Sequence, residues 1–156
     1  MKLTSACKTT CLVAALLTSG TANAVDVDLS GTVIDSCILT LSTEGVLTSG
    51  ASGTTLSSSN ALGAPAILGV VATGGLPSVD FSAPTLSAQP GGYSGTPTVS
   101  MAYTSLGGAS QSETTGASSY TSALLLDAVT VQGTVTDSSG FVAGDYTVTS
   151  IATCSQ

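Results

Sequence analysis

The chain has 156 residues with nine acidic side chains, two lysines, no arginine and no histidine, and its formal net charge is −7. Both cations, Lys2 and Lys8, lie at the very start, so no basic side chain follows residue 8. Nucleic-acid binding needs Lys and Arg to neutralise phosphates, and attraction to anionic lipid needs the same residues. We therefore expect no nucleic-acid partner and no anionic membrane surface as a partner.

The N-terminus has the pattern of an export signal. A basic start and the short apolar run Cys11–Leu17 precede Ala22-Asn23-Ala24, a small-x-small cleavage site. An N-terminal membrane anchor is the alternative, but the apolar run is far shorter than the roughly 20 residues that span a bilayer. We predict a signal peptide over residues 1–24, cleavage between Ala24 and Val25, and one domain over residues 25–156. The domain would then reach the periplasm, the cell surface or the medium.

The first segment after the predicted cleavage site is V-D-V-D-L-S-G-T-V-I-D-S-C, residues 25–37. Apolar and polar residues alternate in it, which is typical of a half-buried β-strand. The pattern predicts that Val33 and Cys37 face the core, together with the other odd-numbered apolar residues. Asp26 and Asp28 would face solvent.

Further short segments along the chain also have strand character, and none has a convincing helical period. They are Ala66–Ala72, Val79–Phe81, Thr98–Thr104, Ala128–Thr136 and Asp145–Cys154. Alternation places Met101 and Tyr103 on one apolar face of the third segment and Val129 and Val135 on one apolar face of the fourth. Turn signals rich in Gly and Pro separate them. The stretch Leu47–Asn60 is either a long loop or a polar edge hairpin. About seven to nine antiparallel strands predict an all-β sandwich or barrel.

Two cysteines, Cys37 and Cys154, follow the predicted signal peptide. In an exported chain an even number of cysteines indicates a disulfide, although two separate buried thiols are the alternative. A zinc site would lack ligands, because the chain has no histidine. We predict a structural disulfide between Cys37 and Cys154 that links the first strand region to the last.

The composition removes most catalytic chemistry. Without histidine there is no Ser-His-Asp arrangement, and without lysine beyond the signal there is no Schiff base. A pair of carboxylates remains possible, but the acids sit on polar strand faces and in turns. Asp26-x-Asp28 and Asp137-Ser-Ser-Gly140 offer oxygen ligands for calcium, yet neither has the EF-hand spacing. We expect no enzyme, no cofactor and no metal site.

Two motifs at the ends of the domain resemble a known family. L-S-G-T-V-I-D-S-C (Leu29–Cys37) is similar to the opening of chaperone–usher fimbrial subunits and related spore-coat-type secreted β-sandwich proteins. A-G-D-Y-T-V-T-S-I-A-T (Ala143–Thr153) is similar to their closing strand. The resemblance covers about twenty residues. It implies an incomplete immunoglobulin-like sandwich whose missing strand is supplied by the N-terminal extension of a neighbouring subunit.

The resemblance leaves the role of the disulfide open. A bridge requires Cα atoms within about 7 Å, whereas strands that flank an empty slot are about two 4.8 Å spacings apart. A Cys37–Cys154 bridge therefore means either paired terminal strands in a closed domain or a link at the end of the sandwich.

Two functions follow as hypotheses. The first is an exported structural protein of the cell surface, a pilin-like subunit or a coat or adhesion component of a fibre. Its partners would be copies of itself or related subunits, a periplasmic chaperone and an usher. The second is a monomeric binding module that holds a ligand or calcium in its loops. Tyr93, Tyr103 and Tyr120 could then supply contacts.

Overall fold

The structure is a computed structural model that describes residues 29–156. Every strand lies within residues 32–156, the larger of the two compact units into which the chain divides. Nothing in the described part is a helix long and apolar enough to cross a membrane. The predicted signal peptide and its cleavage site lie outside the described residues.

The described residues are all-β and form twelve strands. These are β1 (Ser36–Thr43), β2 (Thr48–Ser49), β3 (Thr55–Ser57), β4 (Ala66–Thr73), β5 (Ser78–Phe81), β6 (Thr85–Ala88), β7 (Thr98–Ser105), β8 (Ser110–Thr114), β9 (Ser118–Thr121), β10 (Leu126–Thr136), β11 (Thr147–Thr149) and β12 (Ala152–Ser155). The predicted all-β class is confirmed. The count exceeds the expected seven to nine because several strands are very short and two longer strands are each interrupted.

The larger sheet is built around β10, the longest strand. β4 lies beside the first half of β10 and β3 beside its end, while β7 runs along its other side. β1 is the edge strand next to β4, and β8 is the edge strand next to β7. The sequence left Leu47–Asn60 as either a long loop or a polar edge hairpin. The structure has the hairpin, in which β2 pairs with β3.

The smaller layer consists of β12-β5-β9 and of β11-β6. The two pieces continue one another across a break at Ser82 and Ile151. The Ser82 amide donates to the Ile151 carbonyl at 2.9 Å, and the Ile151 amide donates to the Ser82 hydroxyl at 2.8 Å. β11 and β12 are thus two halves of one edge, opposite β5 and β6.

The core lies between the two layers. Val70, Val79 and Val129 have no exposed surface, and Met101 and Tyr103 are each only 2% exposed. Leu68 and Phe81 complete the same cluster. The alternation in the sequence predicted the inward positions on β7 and β10.

The prediction of a strand over residues 25–37 was wrong for residues 29–35. β1 begins at Ser36, and Leu29 and Val33 are 93% and 73% exposed, although Val33 was expected to face the core. The reason is the length of the neighbouring strand. Ser36 pairs with Thr73, the last residue of β4, and Gly74 then turns the chain away with a φ of 92°. Residues 32–35 therefore have no strand of the described part of the chain with which to pair.

Candidate strand-binding groove

The disulfide joins the edge strands of the two layers. Cys37 near the start of β1 is bonded to Cys154 in β12, with their Cα atoms 5.8 Å apart. Among the described strands β1 pairs only with β4, and β12 pairs only with β5. The terminal strands are therefore not paired with each other. Of the two alternatives left open by the sequence, the structure has the link at the end of the sandwich.

Away from the bridge, the two edges separate and leave a groove of about 620 Å³. One wall follows β1 and the segment after it, and the other follows β11. Residues that line the first wall are Leu41, Glu44, Gly45 and Leu47, and residues that line the second are Tyr146, Thr147, Val148, Thr149 and Ser150. The floor is apolar and includes core residues Leu68, Phe81, Met101 and Val131. The groove thus lies directly over the edge of the hydrophobic core, although Leu68, Phe81 and Met101 themselves are buried.

The exposure of β1 changes along the strand as the walls separate. Cys37 and Leu39 are half-buried and pack against the core, as their inward positions predict. Leu41 has the same parity, yet it is 56% exposed. Burying a leucine side chain is worth about 1.5–3 kcal/mol, so covering the exposed Leu41 side chain would stabilise the protein. Leu41 is therefore an inward position of β1 that the described residues leave half exposed.

The two walls also have free backbone edges. In an antiparallel pair, alternate residues direct their N–H and C=O groups away from the partner strand. β1 has β4 on one side, and β11 has β6 on one side, with no second partner for either among residues 29–156. Such edges are templates for another strand. The groove therefore combines an apolar floor with hydrogen-bonding groups on both sides.

An aromatic cluster holds the start of the β11 wall. The Tyr146 hydroxyl donates to the carbonyl of Val142, four residues earlier, at 3.0 Å. The ring of Tyr146 packs edge-on against Tyr93 and Phe141, with centroids 5.4 and 5.2 Å away. These contacts fix the backbone direction at the point where β11 begins.

Tyr93 is buried and donates its hydroxyl hydrogen to Asp137. Burial, followed by the contact with Asp137, raises the pKa of Tyr93 to about 12. Asp137 also accepts from the amide and the hydroxyl of Ser139, at 2.8 and 2.6 Å, and these bonds lower the pKa of its carboxyl group. The carboxylate of the D-S-S-G turn is thus engaged in internal hydrogen bonds. Within residues 29–156 there is no group of three or more side chains suited to hold a metal ion.

A second buried carboxylate lies near the start of β10, beside the loops that follow β7 and β9. Asp127 accepts from the Ser122 hydroxyl at 2.7 Å and from the Gly107 and Ala128 amides at 3.0 and 2.8 Å. Burial and the neighbouring Asp127 raise the pKa of Tyr120. This cluster ties the β7–β8 turn to the start of β10. It is not among the residues that line the groove.

The tyrosines considered for a ligand site are occupied in packing. Tyr93 and Tyr103 are buried, and Tyr120 packs half-buried against the core. Asp26 and Asp28 lie outside the described residues. Sequence reasoning missed the groove residues Leu41, Glu44 and Leu47. In the structure Leu41 has the same inward parity as Cys37 and Leu39, but no signal in the sequence indicated its exposure.

Comparison of the chain with family models, with curated proteins and with solved structures gave no significant match. A proposal about function therefore depends on the groove, the disulfide and the composition, together with the motifs at the two ends of the domain.

Proposed function

We propose that this protein is an exported structural subunit of the cell surface that assembles with other copies by strand addition, in the manner of a pilin. The groove between β1 and β11 is the observation that carries the proposal. In strand addition, backbone hydrogen bonds give affinity and alternate side chains fill pockets. The groove offers both, because it has two free edges and an apolar floor.

The chain itself contains a segment that suits this groove. If cleavage follows Ala24, the eleven residues from Val25 to Asp35 precede β1, and we call them the arm. Apolar residues and Gly31 alternate in the arm with polar ones. In the described part of the arm no residue belongs to a strand, and Leu29 is 93% exposed. An arm with alternate apolar residues and a groove with an exposed inward leucine are complementary parts of an assembly of identical copies.

The dimensions are compatible. The first wall runs from Leu41 to Leu47, which would span at most about 20 Å if fully extended at 3.3 Å per residue. An extended arm of eleven residues reaches about 35 Å. Its first six or seven residues would fill the groove, and the rest would connect one copy to the next.

The bridge limits the position and direction of an inserted strand. At Cys37 and Cys154 the walls are 5.8 Å apart, which leaves no room for a strand between them. Insertion would therefore stop before the bridge. The start of β1 faces the end of β12, and the end of β1 faces β11, so the walls run in opposite directions. An inserted strand would be parallel to one wall and antiparallel to the other.

The last strand supports an immunoglobulin-like interpretation of the sandwich. A tyrosine near the start of a late strand, bonded back to a carbonyl a few residues upstream, is the tyrosine corner of that fold. Tyr146 and Val142 have this arrangement at the start of β11. On this interpretation, β11 and β12 form the penultimate strand, and the groove is the place of the absent final strand.

The same proposal covers export and partners. The disulfide fits an oxidising compartment such as the periplasm or the cell exterior. A periplasmic chaperone and an usher would be partners before assembly, because an open core needs cover. A monomeric binding module is less well supported, because Tyr93, Tyr103 and Asp137 are used in internal contacts.

Filling the groove from within tests the proposal. Gly133 lines the groove, and a Cβ atom there would lie 3.6 Å from Leu47, at ordinary contact distance. Gly133→Leu would place a side chain over the floor, while Thr130→Leu on the opposite face of β10 is the matched control. We expect the processed protein and Thr130→Leu to form high-mass fibres by size-exclusion chromatography and electron microscopy, and Gly133→Leu to stay monomeric. A sharp monomer peak for the unaltered protein at every concentration would overturn the proposal.

A further inference from the structure

Glu44 is the one charged residue among those that line the groove. It is exposed and lies midway along the first wall, three residues from both Leu41 and Leu47. The other titratable group along the groove is Tyr146 on the opposite wall. The mouth of an otherwise uncharged groove thus has a negative charge near its centre.

The arm brings further negative charge to this mouth. When Val25, Val27 and Leu29 face the floor, period-2 alternation directs Asp26 and Asp28 towards solvent. No cationic side chain follows residue 8, so the α-amino group that cleavage frees at Val25 is the one cation of the processed chain, and it can offset only one of these two charges. Like charges placed close together on neighbouring strands are destabilising.

Glu44 would lie close to the two aspartates of an inserted arm in either direction of insertion. Because Glu44 is central, every position along the wall lies within about three residues, or about 10 Å. The Debye length is about 30 Å at 0.01 M salt but only about 3 Å at 1 M. Repulsion between Glu44 and the two aspartates would act fully in dilute salt and be screened in concentrated salt.

We propose that Glu44 opposes insertion of the arm of a second copy through repulsion of Asp26 and Asp28, so that assembly depends on ionic strength. This inference rests on the proposed strand addition. Assembly is held back in dilute medium and promoted where salt screens the three carboxylates. An arm with neutral or basic residues at the two aspartate positions inserts more tightly than the native arm.

A peptide with the sequence of residues 25–35 tests this inference. The acceptor is the processed chain with Leu29→Asp. This change weakens insertion of the acceptor's own arm into other copies and leaves its groove unchanged. We expect peptide affinity, measured by isothermal titration calorimetry, to rise about three- to ten-fold between about 0.01 M and 0.5 M NaCl. Glu44→Gln in the acceptor, or Asn in place of both aspartates in the peptide, should remove most of that rise. Asp80→Asn, at an exposed acid of β5, is the control and should leave the rise intact.

The outcomes separate the two proposals. Tight binding with the same affinity at both salt concentrations, or a salt dependence that Glu44→Gln does not reduce, would overturn the role of Glu44 and leave strand addition standing. Absence of peptide binding at every salt concentration would overturn both. The unfolding midpoint of the Glu44→Gln acceptor in urea should equal that of its parent, which shows that a changed affinity arises in the groove.

Discussion

At the scale of single residues, hydroxyl and carboxylate contacts take the place of ion pairs, because the chain has no cation after residue 8. Asp127 and Asp137 are both buried, and each carboxylate is stabilised by several donated hydrogen bonds. The sequence placed Asp137 in a turn but gave no reason to expect either burial. Their donors come from segments far apart in the chain, such as Gly107 and Tyr93, and only the fold brings them together.

The pH dependence of stability should include a contribution from Tyr93. Its pKa is raised from 10.0 to about 12 by burial and by Asp137, so folding favours the protonated phenol. The resulting stability is complete below the unfolded pKa of 10.0 and is lost as pH rises towards about 12. We expect Tyr93→Phe to be less stable than the native chain at neutral pH and to have a shallower loss of stability in this range. Urea unfolding at several alkaline pH values measures this, and parallel curves for the two proteins would contradict it.

Asp127 should be important for stability. Its replacement by alanine leaves the Gly107 amide and the Ser122 hydroxyl without an acceptor in a buried position. We expect Asp127→Ala to lower the free energy of unfolding by about 3 kcal/mol, the upper range for hydrogen bonds to a charged group. Asp80→Ala at an exposed position of β5 is the control and should change the free energy of unfolding by less than about 0.5 kcal/mol. Equal losses in urea denaturation would show that the cluster is not a structural tie.

At the scale of strands, alternation predicted the inner faces well and the first strand poorly. Met101, Tyr103 and Val129 were expected inside and are buried. Residues 29–35 alternate just as clearly, but β4 ends at Thr73 and offers them no partner. Alternation reports that a segment can form a strand. It does not report whether a neighbouring strand is available in the same molecule.

The disulfide should provide much of the stability of the β1 edge. It joins residues separated by 117 positions, and loops of about 100 residues give roughly 4–5 kcal/mol in the chain-entropy account. We expect the double variant Cys37→Ser, Cys154→Ser to lose about that much in the free energy of unfolding. Chemical reduction of the native protein should give the same value. A loss below about 1 kcal/mol in urea denaturation would mean that packing alone holds β1 against the second layer.

At the scale of the whole molecule, the sequence indicated an all-β chain and the pair of cysteines that the structure joins. It could not show whether the bridge closes the sandwich or leaves it open, because that depends on the distance between two sheet edges. The resemblance of the terminal motifs to fimbrial subunits suggested an open sandwich. In this chain Leu41, which has an inward position and 56% exposure, is the residue that supports the proposal of an open edge.

The central claim is that the groove binds an extended strand. Hydrogen exchange of the acceptor chain, with and without the peptide of residues 25–35, tests it most directly. We expect slowed exchange at alternate amides of β1 and β11, because only amides directed into the groove gain a partner, while the central amides of β10 stay unchanged. Protection elsewhere, or none at β1 and β11 under conditions where the peptide is bound, would contradict the account.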